Sequence, residues 1–344
     1  MSVHGLVIIS LRILEDESME IISYSSKYLE DLINLWNDSV ASVSIFKPFT
    51  VNSFKSKILD NPYFNEEGLV ILVKNNQVIG WGLAVVKDQS EDTPGFIVCV
   101  AIDKNFQRQG YGTLLLQQLE QFLIRNNKKK VRLYFASPIN LEWIVPGTNN
   151  HDHPGAPAVS YNTPFYFLLK ANHYIIDGPN QDAFHLDITN YEKPIDIVKK
   201  IQVNEQDGYF ITYYDPSKHN GLDDLFVALQ NPTWHEAAKN NLRLEKPNPM
   251  LVVVKDNRVL GWTGPLYTQE SGRGYFAGIG VHPEVQGRGL GKTLFSELCY
   301  RSKENGAKFM TLFTGSNNPA RNIYLSAGFK IVQSFAILGK ELIK

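Results

Sequence analysis

The sequence predicts an α/β protein in which one kind of domain occurs twice, each copy a twisted, mostly antiparallel mixed sheet flanked by helices. Three observations predict it. Each half opens with apolar runs separated by short turns, which read as paired strands, and later carries a strand–helix–strand unit. A glycine-rich turn, Gln107-Arg108-Gln109-Gly110-Tyr111-Gly112-Thr113, returns 179 residues later (286 minus 107) within Gln286-Gly287-Arg288-Gly289-Leu290-Gly291-Lys292-Thr293. Outside the turn, Val78-Ile79-Gly80-Trp81 is echoed by Val259-Leu260-Gly261-Trp262. Two copies in one register mark a duplicated domain rather than chance. A chain of 344 residues also exceeds what one core organises, and two domains of roughly 150 residues are expected.

The first copy begins with a strand over 19–24 and a helix over 28–39, where Leu29, Leu32, Ile33 and Trp36 recur at helical spacing. A short helix follows Val51, then strands over 69–74, 78–86 and 96–102, the first two joined through Asn75-Asn76 as a hairpin. A helix over 110–125 follows the glycine turn, then a strand over 131–135. Residues 137–162 form an insertion rich in Pro, Gly, Asn and His. A helix over 164–171 and closing strands reaching Ile188 complete the copy. The second copy repeats the plan with strands over 209–214, 250–255, 259–267, 275–281, 308–313 and 329–338, and helices over 222–230, 233–240, 289–304 and 319–327. The expected divisions are an N-terminal extension 1–18, a first domain 19–190, a linker 191–207 and a second domain 208–344. Met19, where the first strand starts, is an alternative beginning for the chain.

The turn at 286–293 lies between a strand and a helix, so several backbone N–H groups are left unpaired at the helix N-terminus. These amides and the positive end of the helix dipole suit an anion. Glycine lets the backbone approach a phosphate where a Cβ would obstruct, and Arg288 and Lys292 add positive charge. The phosphate-binding P-loop does not fit, because the position five before Gly291 is Gln286 and the strand over 308–313 has no acidic residue for magnesium. The dinucleotide-binding glycine pattern does not fit either, since Gly289 and Gly291 lack a third glycine at its place.

Gln-x-x-Gly-x-Gly, here Gln286, Gly289 and Gly291, resembles the acyl-CoA-binding turn of the GNAT N-acetyltransferases. The run Asn317-Asn318-Pro319-Ala320-Arg321-Asn322-Ile323-Tyr324-Leu325-Ser326-Ala327-Gly328-Phe329 is similar to that family's late tyrosine helix. Asn before the helix and Gly at its end also make good local caps. The resemblance covers nearly the whole chain in two copies. It implies acetyl-CoA bound by Gln286 to Thr293 and by Asn317, with a backbone amide around Ile279, Gly280 and Val281 facing the thioester carbonyl. It implies Tyr324 as the acid that protonates the departing sulfur, a phenol being neutral at pH 7. In the first copy the equivalent contacts would come from Val100, Ile102 and Gln107 to Thr113. There, aligning Asn172-His173-Tyr174 with Gly328-Phe329 sets Leu168 or Leu169 where the tyrosine should stand. The C-terminal copy is therefore expected to be catalytic, and the N-terminal copy to be structural or to shape the acceptor site.

The general base is left open. His219, His235 and Glu236 lie near the expected acceptor region but read as surface residues, His282 as a turn residue, and an ordered water could serve instead. His151-Asp152-His153 lacks a distant partner at metal-ligand spacing and reads as a polar loop, so no metal is expected. The net charge of −1 gives no support to nucleic-acid binding, and Lys128-Lys129-Lys130 suits a helix C-terminus. Cys99 and Cys299 read as buried free thiols of a reducing cytoplasm. No apolar stretch reaches membrane-spanning length, and the apolar start over 1–14 lacks the basic residues and cleavage site of a signal peptide. The expected function is transfer of acetyl from acetyl-CoA to a small-molecule or peptide amine. The tandem arrangement resembles that of mycothiol synthase, without specifying the acceptor. The alternatives are a non-catalytic CoA-binding scaffold and, on Gly291-Lys292-Thr293, a nucleotide hydrolase. A tandem chain can mimic a homodimer within one polypeptide, which makes a monomer sufficient and leaves a homodimer open.

Overall fold

A computed structural model describes residues 18–342; the expected extension 1–18 lies, but for Ser18, outside the described residues. Two compact units emerge. The first runs through Val145, takes in Asp152–Gln181 and resumes at Ser334; the second comprises Pro146–His151 and Asp182–Gln333.

The chain opens with β1 (Met19–Ser23), α1 (Leu29–Ser39) and α2 (Val51–Phe54), then β2 (Leu69–Lys74), β3 (Gln77–Val85) and β4 (Gly95–Ile102). Next come α3 (Tyr111–Arg125), β5 (Lys130–Leu133), three two-residue strands β6 (Trp143–Ile144), β7 (Asp152–His153) and β8 (Val159–Ser160), α4 (Pro164–Ala171) and β9 (Ile175–Ile176). β10 (Gln181–Asp187) and α5 (Ile195–Gln206) follow, then β11 (Phe210–Tyr213), α6 (Leu222–Leu229), α7 (Pro232–Leu242), β12 (Leu251–Lys255) and β13 (Arg258–Gly264). The remainder is β14 (Tyr267–Thr268), β15 (Gly274–Tyr275), β16 (Gly278–Val281), α8 (Leu290–Glu304), β17 (Phe309–Gly315), α9 (Arg321–Ser326), β18 (Lys330–Ala336) and β19 (Leu338–Glu341).

The duplication is visible in local chemistry. The β2–β3 and β12–β13 hairpins turn on Asn75-Asn76 and Asp256-Asn257, all four with positive φ, the geometry whose twist matches the flanking strands. Both hairpins carry an irregularity at the same place, Leu72/Val73 and Val253/Val254. The next pairing keeps register too, Gly80 opposite Ile102 and Gly261 opposite Val281.

Strand alternation feeds two cores per unit, one on each sheet face. In the first unit Leu69, Ile71 and Val73 pack with α1 and α2 residues around Trp36 and Trp81, while Val70 and Leu72 face Leu115, Leu119 and Phe122 of α3. In the second, Val252 and Val254 meet Phe226 and Trp262, and Leu251 and Val253 meet Leu294, Phe295 and Tyr324.

Two features differ from the sequence reading. The expected linker 191–207 holds the twelve-residue helix α5. Its apolar positions are few, so its pattern is weak; Ile197 and Asn204 alone are buried along it, and tertiary contact with α8 stabilises what periodicity does not announce. The division at 190/208 also assigns strands differently from the structure. The last strand, β19, completes the seven-stranded sheet β1-β2-β3-β4-β5-β19-β9 of the first unit, with Leu338 opposite Leu133 and also opposite Ile176. β10, placed by sequence in the first domain, has all but its first residue in the second unit, beside β17. Strand order in sequence carries no information about which copy a terminal strand completes.

Leu338 is fully buried among α3 and β5 side chains. Leu338→Ala should therefore cost about 3 kcal/mol, read by urea unfolding, and should lower hydrogen-exchange protection at the amides of Lys130–Leu133, which lie in the other sequence copy.

Candidate functional site

In each unit a strand ends and a glycine turn leads into a helix. β16 gives way to a short 3-10 turn, Pro283–Val285, whose first amides are met by His282: its Nδ1 accepts from the Glu284 N–H at 3.3 Å. Asp103 does the same before Asn105 in the first unit, at 2.8 Å. Histidine 282 is thus a turn residue. α8 then starts at Leu290 from Gly289, whose φ of +76° is a left-handed conformation that strains any residue with a Cβ. Gly110 holds the same position before α3, at φ +91°.

The first backbone acceptor–donor pairs of α8 are Lys292 and Thr293 N–H to the Gly289 carbonyl. Among the described residues no hydrogen bond engages the amides of Gly287, Arg288, Gly289, Leu290 or Gly291. Five main-chain donors therefore stand without a described partner at the positive end of a fifteen-residue helix. The charges beside them belong to exposed Arg288, whose guanidinium lies 5.5 Å from the Tyr209 ring centre, and exposed Lys292. The first unit's turn has the same bare amides but Thr113 in place of Lys292 and Gln109 in place of Arg288; its cation, Arg108, adopts φ +62°.

Beside the turn the sheet opens. β16 is the edge strand of β11-β12-β13-β16, paired to β13 on one side. On its other side the described parallel bridging to β17 is confined to Arg273 and Phe309, before β16 begins. In the first unit β4 and β5 likewise pair in parallel at Gly95–Val131 and Phe96–Arg132 and then part. A cleft between diverging parallel strands, above a helix N-terminus, is where open α/β sheets take ligands. The two copies then part company. The first copy's cleft is filled by its own insertion: Ile97 and Val98 of β4 and Leu133 and Tyr134 after β5 face Ile139, Leu141, Ala156 and Val159 across a space of about 40 Å³. That holds a few waters.

Tyr324 sits on α9, close to the turn, for Ile323 lies 3.2 Å from where a Cβ on Gly291 would stand. Its ring packs against Phe184, Phe295 and Phe329. Burial pushes its phenol up to about 12, so it is neutral throughout the physiological range. The first unit supplies the equivalence that sequence left between two leucines. Leu168 contacts the Cβ position of Gly112 as Ile323 does that of Gly291. The Tyr174 N–H bonds the Leu169 carbonyl as the Phe329 N–H bonds that of Tyr324, both at 3.1 Å. Leu169, fully buried, is therefore the counterpart of Tyr324. The turn before α9 is capped by Asn318, which accepts from the Ala320 N–H at 3.0 Å, and Asn317 is left exposed.

The sequence profile of the acetyltransferase (GNAT) family matches residues 30–142 and again residues 217–329. The chain belongs to the acetyltransferase (GNAT) family. It carries two GNAT domains, and the family uses acetyl-CoA as co-substrate. An acetyltransferase of Sodalis glossinidius is 29% identical over 99 residues, 28% of this chain and 68% of that protein. Solved structures similar over 95% of this chain include a GCN5-related N-acetyltransferase from Sphaerobacter thermophilus (TM-score 0.55, 13% identity, 96% of that chain). A tandem GNAT protein from the clavulanic acid biosynthesis pathway gives TM-score 0.52 and 14% identity over 99% of its length. A GCN5-related glucosamine N-acetyltransferase region of a fungal multi-domain enzyme gives 0.58 and 16%, and there this chain spans 38% of the longer protein.

Around the GNAT motifs, the histidines that sequence raised as bases have structural partners. His235 pairs with Asp223 and stacks on Phe226, and His219 Nδ1 accepts from the Asp215 N–H. His151, Asp152 and His153 engage Ser271, Lys47 and Gly155 respectively. No group of three or more metal-ligating side chains gathers among the described residues, and no described helix is long and apolar enough to cross a membrane.

The Tyr324 phenol ionises near 10 in the unfolded chain and near 12 when folded. Its contribution to stability is therefore complete below pH 10 and is lost as pH rises from 10 through 12. The difference in unfolding free energy between wild type and Tyr324→Phe, from urea melts between pH 8 and 11.5, should be flat to pH 10 and fall beyond it.

Proposed function

We propose that this acetyltransferase moves an acetyl group from acetyl-CoA to the amine of a small-molecule or peptide acceptor, and that the C-terminal copy performs the transfer. The observation that carries the reading is the pairing of bare amides at Gly287–Gly291 with a buried, neutral phenol at Tyr324 in one copy. The other copy offers Leu169 and a cleft filled by Ile139, Leu141, Ala156 and Val159.

The residues present fit the donor. The amides from Gly287 to Gly291 and the side chains of Arg288 and Lys292 would hold its pyrophosphate, with Gln286 and Asn317 exposed nearby in the two motifs. Thr293 is buried and its hydroxyl donates to the Leu290 carbonyl at 3.0 Å, so it serves the helix rather than the donor. The left-handed Gly289 sets the turn from which these amides start, a conformation that strains any residue with a Cβ. The open edge of β16 around Ile279, Gly280 and Val281 offers main-chain donors to a carbonyl oxygen on which charge develops. The bound donor supplies an activated acetyl thioester. Tyr324 keeps its proton at every pH below about 12 and is the proton source for a sulfur that leaves as an anion, while the attacking amine gives up its own proton to water or to a base of the acceptor site. The first copy's Val100, Ile102 and Gln107 to Thr113 retain the turn without the acid, which suits a scaffold role.

A panel of amines assayed for free thiol release from acetyl-CoA tests the reading. Tyr324→Phe should lower kcat about 100-fold with little change in the KM for acetyl-CoA. Gly289→Val should abolish donor binding, and Gly110→Val should leave the rate within a few-fold of wild type. A full-rate Tyr324→Phe enzyme, or loss confined to Gly110→Val, would transfer the chemistry elsewhere.

A further inference from the structure

Helix α5 joins the two sequence copies. It is anchored along α8 within the second unit. The hydroxyls of Tyr191 and Ser296 share a hydrogen bond of 2.8 Å, Lys193 pairs with Glu297, and Lys303 donates to the Tyr191 carbonyl at 2.8 Å. From there α5 runs toward the start of α8. Its half-buried Lys200 lays its carbon stem against Gly289, with Cε 3.0 Å and Cγ 3.4 Å from the position a Cβ would take. Lys200 enters none of the described ion pairs. One turn on, on the same face of α5, Asn204 is 4% exposed and its Nδ2 has no hydrogen-bond partner. The Asn204 carbonyl accepts from Tyr209, the residue whose ring underlies Arg288. A buried amide nitrogen left unpaired costs free energy unless something meets it. In the first unit no described residue lies within 4 Å of the Cβ position at Gly110.

We infer that Lys200, carried by the connecting helix, is a pyrophosphate-binding residue of the C-terminal cradle, completing a ring of positive charge with Arg288 and Lys292. This rests on the proposed acetyl-CoA site at Gly287–Gly291. A lysine whose stem is held by packing brings its ammonium to a diphosphate with little rotamer freedom left to lose. It acts on binding of the donor and leaves the transfer step alone.

Lys200→Met keeps the packing stem and removes the charge. With acetyl-CoA its KM should rise about tenfold, the worth of one charge-assisted contact, at unchanged kcat, and Lys200→Arg should restore most of the affinity. The penalty should persist with 3′-dephospho-acetyl-CoA, which keeps the pyrophosphate, and vanish with S-acetylpantetheine, which has no phosphate. Equal losses with all three donors would make Lys200 structural and overturn the inference. So would a penalty that disappears with the 3′-dephospho donor, or an unchanged KM in a Met variant with wild-type melting. Failure of the wild-type protein itself to bind acetyl-CoA by calorimetry would instead sink the site on which the inference stands.

Discussion

The structure turns on a row of main-chain N–H groups that no described residue satisfies. Starting a helix from a glycine turn leaves these donors without a described partner, and a left-handed Gly289 is what lets the chain make that change of direction. Much else follows from keeping that corner open. β13 holds β16 in register from one side, and among the described residues no strand pairs with its other side. Gly291 lets α9 close on the turn through Ile323, which brings Tyr324 into the apolar wall of α8.

Duplication preserves backbone geometry more faithfully than chemistry. Both copies keep the asparagine-rich hairpin turns, the strand irregularity, the bare helix start and the parting of parallel strands. What changed is what fills the space. In the first copy the insertion packs Ile139 and Leu141 beneath Trp81 and Phe96, converting a cleft into core, and a leucine stands where the phenol would be. Apolar burial and an open ligand path compete for the same volume, and each copy resolves that competition differently.

Most of the fold was legible because its elements carry strong local signals. The continuous apolar runs at 69–74 and 251–255, the Asn75-Asn76 turn, and Thr163-Pro164 as cap and first helical residue of α4 all speak through near neighbours. The cradle was legible for the same reason, since glycine spacing encodes backbone conformation. Helix α5 was not, because its stability comes from Tyr191, Lys193 and Ile197 meeting α8 more than from its own pattern. With it went Lys200, a residue of no motif whose meaning lies wholly in what it touches. The choice between Leu168 and Leu169 needed two distances that only a folded chain supplies.

The placement of β19 has a consequence for biogenesis. The first sheet seats its closing strand between β5 and β9, and in the sequence that strand comes after the whole of the second copy's cradle. Translation therefore delivers an N-terminal half with an unprotected sheet margin until Leu338–Glu341 have been made. A cut between the two sequence copies would therefore take β19 away from the sheet it completes.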